Sequence, residues 1–329
     1  MIKAETEAVF LDAAIQRRRG QMMICSVIFI FFAGLHIVSD FKLFSIGNIS
    51  NLIIQSVFPA FVAWGMMFIF ATGMVDLSIG ANTILSANIG ILFSQYCGWG
   101  YSGLVVMTLI SVVLLEHITV QCAVTLQIPG WVAGLGMALV FEAVLTVGLS
   151  VLPFLKGTNI LRLEDYRGLG SLPVMTMAWV LGFMAAFIIF NRTSVSFNLR
   201  SVGTNPWVAA AMGINRKKTI FLGAVIGAIF IAIGTIVNVS YTGKFFPAAG
   251  LSSLSYIFKP LAILLLSGSF SKYISQPIGI LLGSFLVTSI FNVLTLLGVP
   301  SGTWQELLLG AIVIICGLAS SLKEKGVVK

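Results

Sequence analysis

Apolar runs long enough to cross a lipid bilayer follow one another along almost the whole chain, and no other feature restricts its fold so strongly. A hydrocarbon core of about 30 Å takes roughly 20 residues of helix per crossing. Windows of that size fall near residues 21–39, 51–73, 79–96, 101–122, 129–150, 173–191, 219–239, 256–271, 278–297 and 303–321. That makes about ten expected spans. Only 9% of the 329 residues are charged while 58% are hydrophobic, against about 25% charged in a soluble domain. Such a chain has too little polar surface to show to water. Strands of a lipid-facing barrel would alternate strictly between apolar and polar, and these runs do not. Helices satisfy every backbone N–H and C=O within the segment. The expected class is an all-α polytopic transmembrane protein.

Lys and Arg set the expected orientation. With a cytoplasmic amino terminus and ten crossings, both termini face inward. The inner side then holds Arg17, Arg18, Arg19, Arg192, Arg200, Arg216, Lys217, Lys218, Lys272 and the tail lysines. The outer side keeps Lys42, Lys156, Arg162, Arg167, Lys244 and Lys259, offset in part by Asp40, Glu164 and Asp165. This asymmetry follows the positive-inside rule. The resulting organisation is a cytoplasmic segment over 1–20, a transmembrane domain over 21–321 and a cytoplasmic tail over 322–329. The net charge of +8 reports topology and contact with anionic membrane lipid. No nucleic-acid partner is expected, because the basic residues are scattered over several loops. The first span is too long for a cleaved signal and lacks a small-x-small site after it. Cys25, Cys97, Cys122 and Cys316 lie in or beside different spans. They read as no disulfide framework, and burial as small apolar residues is expected for at least three.

Chemistry-bearing constellations are missing. His36 and His117 are the two histidines, and neither has a ligand partner at metal-binding spacing. Cys-x-x-Cys, G-x-S-x-G, His-Glu-x-x-His and the phosphate-binding G-x-x-x-x-G-K-[ST] do not occur. The chain is therefore expected to have no catalytic residue, no metal site and no cofactor, and not to be an enzyme. Glu142, in "MALVFEAVL", falls near the middle of its span, where a charge costs roughly 2.5–3.5 kcal/mol. It reads either as a group on a hydrated pathway or as one protonated or bonded to a neighbouring helix. Glu116 and His117, toward the inner end of their span, and Glu306, near the outer end of its own, read as solvated or snorkelled. Asp76 sits in "ATGMVDLSIGAN" with Leu77, Ser78, Gly80 and Asn82, where glycines interrupt the apolar pattern and expose backbone groups. It reads as a turn cap or as a structural pin beside a pathway. Gly223 with Gly227, Gly130 with Gly134, and Gly279 with Gly283 keep the four-residue spacing of close helix packing. Such packing serves contacts within one chain or a dimer seam.

One segment breaks the apolar sequence of runs. "NLRSVGTNPWVAAAMGINRKK", residues 198–218, is polar at both ends and small and apolar in the middle. Asn205 suits a helix N-cap, Pro206 the first helical position and Gly213 the residue past the end. A short rigid helix in a loop over 192–218 is expected, with Ala209, Ala210 and Ala211 keeping it slim and Trp207 as an anchor. The plain alternative is an amphipathic loop lying against lipid.

"TGMVDLSIGAN", "IPGWVAGLGMALVFEAVL" and "RSVGTNPWVAAAMGINRKKT" together resemble the permeases of bacterial ribose-type sugar ABC importers, in order and spacing over nearly the whole chain. The resemblance implies the ABC importer permease fold in the bacterial inner membrane. It also implies that the short helix is the coupling helix docking on an ATP-hydrolysing subunit. The candidate residues for coupling to the ATPase are Gly203, Asn205, Pro206, Trp207, Ala209, Ala210, Gly213, Ile214 and Asn215. Implied partners are two such ATPase subunits, a second permease copy or a related permease chain, and a periplasmic solute-binding protein. The family's Gly-Gly-rich stretch near the eighth and ninth spans is replaced here by "LLLSGSFSKYISQPIG", with Lys259, Tyr273 and Gln276 nearby. The alternative from another class is an ion-coupled secondary carrier using Glu142. A membrane-embedded enzyme lacks any catalytic cluster.

Overall fold

The computed structural model describes residues 2–151, 160–299 and 302–325. Lys156, in the expected outer loop, and the end of the tail over 326–329 lie outside the described residues. The chain folds as helices without strands among the described residues. In order these are α1 (Ile2–Val38), α2 (Ile46–Phe70), α3 (Ile79–Ile91), α4 (Gly100–Ser102), α5 (Thr108–Leu126), α6 (Gly130–Val151), α7 (Leu172–Arg192), α8 (Ser194–Thr204), α9 (Pro206–Ala211), α10 (Arg216–Thr242), α11 (Ser255–Phe270), α12 (Gln276–Leu296) and α13 (Thr303–Lys325). A π-helical turn at Gly103–Met107 joins α4 to α5. Proline stands in the first two positions of α7, α9 and α12, where its missing N–H costs nothing.

Among the described residues, eight helices are long and apolar enough to cross a membrane: Arg18–Val38, Ile46–Phe70, Gly100–Leu126, Gly130–Val151, Leu172–Arg192, Arg216–Thr242, Ser252–Phe270 and Gln276–Leu296. The windows at 79–96 and 303–321 are not among them. The first corresponds to α3, whose 13 residues span only about 20 Å, extended by a π-helical turn at Leu92–Tyr96. Nearly every residue of α3 is buried, so its apolar run reflects a protein interior. The second corresponds to α13, in which Trp304–Ile315 is the apolar stretch among the described residues, while the sequence continues apolar through Ala319.

The chain divides into two compact units, Met1–Ile53 with Ala262–Lys329, and Ile54–Leu261. In the second unit α3 packs on α5 and α6, and α10 packs on α5, α3 and α8. Backbones touch where α2 meets α10. A methyl group added at Gly65 would come within 2.6 Å of the Gly227 carbonyl oxygen, and one at Gly227 within 2.7 Å of the Gly65 oxygen. Gly223 lies against Leu199 and Thr72, Gly130 against Met74 and Val75, and Gly134 against Asp76 and Leu77.

In the first unit α1 packs on α12. Asn48 and Asn292 exchange hydrogen bonds of 2.8 and 3.0 Å between their buried amides, and Leu43, Leu52 and Val293 form an apolar cluster. Gly279 lies against Ser267 and Gly283 against Ile263. All three glycine pairs therefore pack within the chain. The divergent stretch anchors α1, because the Tyr273 ring covers Gly20 and the Tyr273 carbonyl accepts from Gln21 Nε2 at 3.0 Å. Cysteine burial is not met: Cys25 and Cys97 are exposed and Cys122 is half-buried. Cys25 lies on the first span, which turns almost all of its apolar surface outward.

Gly227→Val should force α2 and α10 apart at a cost of about 1–3 kcal/mol, read as a lower melting temperature of the detergent-purified protein. Gly148→Ala, with nothing within 4 Å of the added methyl, should not lower it. Equal melting temperatures for the two variants would rule out the close crossing.

Candidate functional site

Two structural features of the second unit carry the residues singled out in the sequence. The first is the short helix α9. Asn205 caps it, its Oδ1 accepting from the N–H of Trp207 at 3.1 Å and of Val208 at 3.2 Å. Pro206 follows at the first helical position. Gly213, at φ +80°, turns the chain out of the helix in a conformation that glycine adopts without steric penalty. Its N–H bonds the Ala210 carbonyl, and the Ile214 N–H bonds that of Ala209. Asn215 then caps α10 through the Lys218 N–H at 3.0 Å. Both ends of α9 are thus tied down within a few residues.

The two faces of α9 differ. Ala209 is buried among Met74, Val120, Ala123, Val202, Ile220 and Ala224. Trp207 is 86% exposed, and Val208 and Met212 stand out beside it. Between α8 and α9 lies a cavity of about 410 Å³ lined by Phe197, Arg200, Ser201, Thr204, Asn205, Val208 and Met212. Gly203 explains itself here, since a methyl group on it would come within 2.2 Å of the Ala71 carbonyl oxygen and 2.9 Å of the Gly73 nitrogen. The end of α8 therefore rests directly on the turn after α2.

That turn leads to the second feature, a buried polar cluster at the start of α3. Asp76 is fully buried. Its Oδ1 accepts from the Ser78 N–H at 2.6 Å and its Oδ2 from the Ser78 hydroxyl at 3.0 Å. Ser78 Oγ also meets Thr119 Oγ1 at 3.2 Å. The Asn82 amide donates to the Val112 carbonyl at 3.2 Å, and its oxygen accepts from Ser86 at 3.0 Å. A methyl at Gly134 would lie 2.6 Å from Asp76 Oδ1 and 2.5 Å from the Leu77 nitrogen, so α6 presses on the turn.

Glu116 departs from its expected solvated position. It is fully buried and faces the Asp76 carboxyl, with Asn82 alongside. The signal was out of reach of a linear reading, because Asp76 lies in the turn before α3 and Glu116 on α5. Neither Glu116 oxygen has a hydrogen-bond partner among the described residues.

Glu142 clamps a backbone turn. Its Oε2 accepts from the Leu251 N–H and its Oε1 from the Ser253 N–H, each at 3.0 Å. Gly80 connects this clamp to the Asp76 turn, since a methyl there would come within 2.2 Å of the Ser253 carbonyl oxygen. Asp76, Leu77, Ser78, Gly80, Asn82 and Glu142 thus belong to one packed region around the start of α3. The residues of the 203–215 segment form the exposed knob beside it. With both Glu142 oxygens engaged by backbone donors, the group serves as a cap.

Among the described residues no cluster of three metal-ligating side chains occurs. Residues 48–317 match the family described as branched-chain amino acid transport system / permease component, and the chain belongs to that family. It is a multi-pass inner-membrane transport component and not an enzyme.

The chain is similar to the xylose transport system permease protein XylH of Escherichia coli, with 22% identity covering 84% of this chain and 85% of the relative. It is also similar to the ribose import permease protein RbsC of Escherichia coli, with 25% identity covering 86% and 88%. The galactose/methyl galactoside import permease protein MglC of the same species is 24% identical over 87% of this chain and 90% of its own. No solved structure matches at a significant level.

Glu142→Leu should strip the acceptors from one buried and one part-buried N–H group and destabilise the protein by about 1–4 kcal/mol. Glu142→Gln keeps one acceptor and should cost less. Thermal unfolding of the purified variants reads the difference, and indistinguishable curves for the two would remove the clamp. Glu116→Gln should leave the melting temperature within a few degrees of wild type, since the amide keeps the side chain's shape and can donate to the Asp76 carboxyl; a large drop would mean that the carboxyl at this position is itself needed.

Proposed function

We propose that this chain is the membrane-spanning permease of an ATP-binding cassette importer that carries a sugar or sugar-like polar solute into the cytoplasm. Its family membership and its similarity to xylose, ribose and galactose permeases support the solute class. In this reading the segments over 1–20 and 322–329 are cytoplasmic, ten helices of the domain over 21–321 cross or enter the membrane, and the loop over 192–218 is the coupling segment. Two ATP-hydrolysing subunits dock on the cytoplasmic side. A second copy of this chain, or a related permease, completes the pathway, and a periplasmic solute-binding protein delivers the solute. The chain itself makes no covalent bond; closure of the ATPase pair shifts the population between inward-open and outward-open forms.

The observation that carries this reading is α9. A six-residue helix capped at both ends, buried on the Ala209 side and exposed at Trp207, is a stiff element with an anchor for a neighbour. Aromatic anchors in small exposed patches dominate many docking interfaces. Arg216, Lys217 and Lys218 follow at once, at the level of the inner leaflet in this orientation. The contact of Gly203 with the Ala71–Gly73 turn gives movement of the segment a direct route to the Asp76 turn. Glu142, already engaged by two backbone donors, is poorly disposed to act as the exchanging proton site of a secondary carrier.

Gly213→Trp and Asn205→Leu should abolish uptake while leaving the protein in the membrane. Trp207→Ala should weaken co-purification of the ATPase subunit by about tenfold or more. Normal uptake by both cap variants, or accumulation of sugar against its gradient by vesicles holding this polypeptide alone, would overturn the proposal.

A further inference from the structure

At the end of α10 opposite α9, about 40 Å along a helix of 27 residues, lies a recess of about 350 Å³ between α2, the end of α10 and the start of α11. We propose that this recess is a solute-contact site for a neutral, hydroxyl-rich ring such as a pentose or hexose, held by the Gln55 and Asn238 amides, Lys259 and two helix carbonyls released by prolines. The proposal rests on the permease reading above and deepens it by giving this chain its own solute selectivity.

Two prolines make the recess unusual. Pro59 lies inside α2 and Pro260 inside α11, and both line it. A proline within a helix has no N–H for the carbonyl four residues earlier. Those carbonyls belong to Gln55 and Tyr256, which line the same recess. Two helices thus withhold a helical donor from a carbonyl at one place, where protein and solute groups must satisfy the oxygens.

Side chains complete the set. The Gln55 and Asn238 amides line the recess and have no hydrogen-bond partner among the described residues. Each amide offers two N–H donors and an acceptor oxygen. Lys259 adds an ammonium, and no carboxylate lines the recess, which disfavours a cationic solute. Tyr256, with its ring against Phe245 at 5.5 Å, and the exposed Tyr241 supply flat apolar faces carrying polar tips. Sugar hydroxyls donate and accept at once, and so match a mixed set of amides and carbonyls better than a cluster of one sign does. The volume falls at the small end of ligand cavities, about 300–1,000 Å³.

The test uses the complete transporter, this chain with its ATPase and binding subunits, in proteoliposomes supplied with radiolabelled D-xylose, D-ribose or D-galactose. Gln55→Leu and Asn238→Leu should each lower uptake about five- to tenfold and change the ratio among the three sugars. ATP hydrolysis stimulated by the loaded binding protein should stay within about twofold of wild type. As a second measurement that needs no variant, a diazirine-bearing pentose photolabelled onto the wild-type complex should mark peptides containing residues 54–59, 238–242 and 255–260. Unchanged rates and ratios in both variants, or labelling confined to other peptides, overturns the recess while leaving the permease reading intact. Wild-type vesicles that show no ATP-dependent uptake of any of the three overturn the permease reading and the recess with it.

Discussion

A backbone that leaves helical geometry inside an apolar protein must find partners for its N–H and C=O groups, because neither lipid nor aliphatic side chains supply them. Two carboxyl groups meet that requirement in this chain. Asp76 holds the turn between α2 and α3 by accepting from Ser78, and Glu142 holds the turn before α11 by accepting from Leu251 and Ser253. The short buried helix α3 lies between them, with Gly80 against the Ser253 carbonyl and Gly134 of α6 against Asp76. Without those acceptors the interior turns would carry orphaned donors, and α3 would lose the fixed start that its packing requires.

The exposed knob is joined to this pinned interior by contact rather than by a chain of polar groups. Gly203 meets the backbone of the Ala71–Gly73 turn, and Ala209 enters an apolar cluster that includes Met74. Both contacts bring α8 and α9 against the few residues that precede Asp76. Under the proposed function, a push on Trp207 reaches the start of α3 through atoms already in van der Waals contact, with little slack to absorb it.

What could be read from the sequence was local. The caps of α9 follow from Asn205, Pro206 and Gly213 because each acts on neighbours within four residues. Apolar runs located the long helices for the same reason. The partners of the acids were not legible, since Glu142 bonds residues more than a hundred positions away and Glu116 on α5 meets Asp76 in the turn before α3. Hydropathy does not distinguish lipid from a protein interior, which is why α3 has the profile of a span although its surface is covered by α5 and α6. The glycine spacing indicated close packing, while its partners within the chain required the three-dimensional arrangement. Gln55 and Asn238 escaped notice as isolated polar residues; the prolines four positions after Gln55 and Tyr256 were the available signal.

The crossing of Gly65 with Gly227 bears on how the second unit can move. Where side chains separate two helices, they can ratchet past one another by swapping rotamers. Here main chain abuts main chain, each carbonyl blocking the place where the other's side chain would grow, so axial slippage meets a hard stop. Rocking about that point remains open, making the crossing a fulcrum: a small tilt at the α9 end of α10 becomes an opposite swing at its far end.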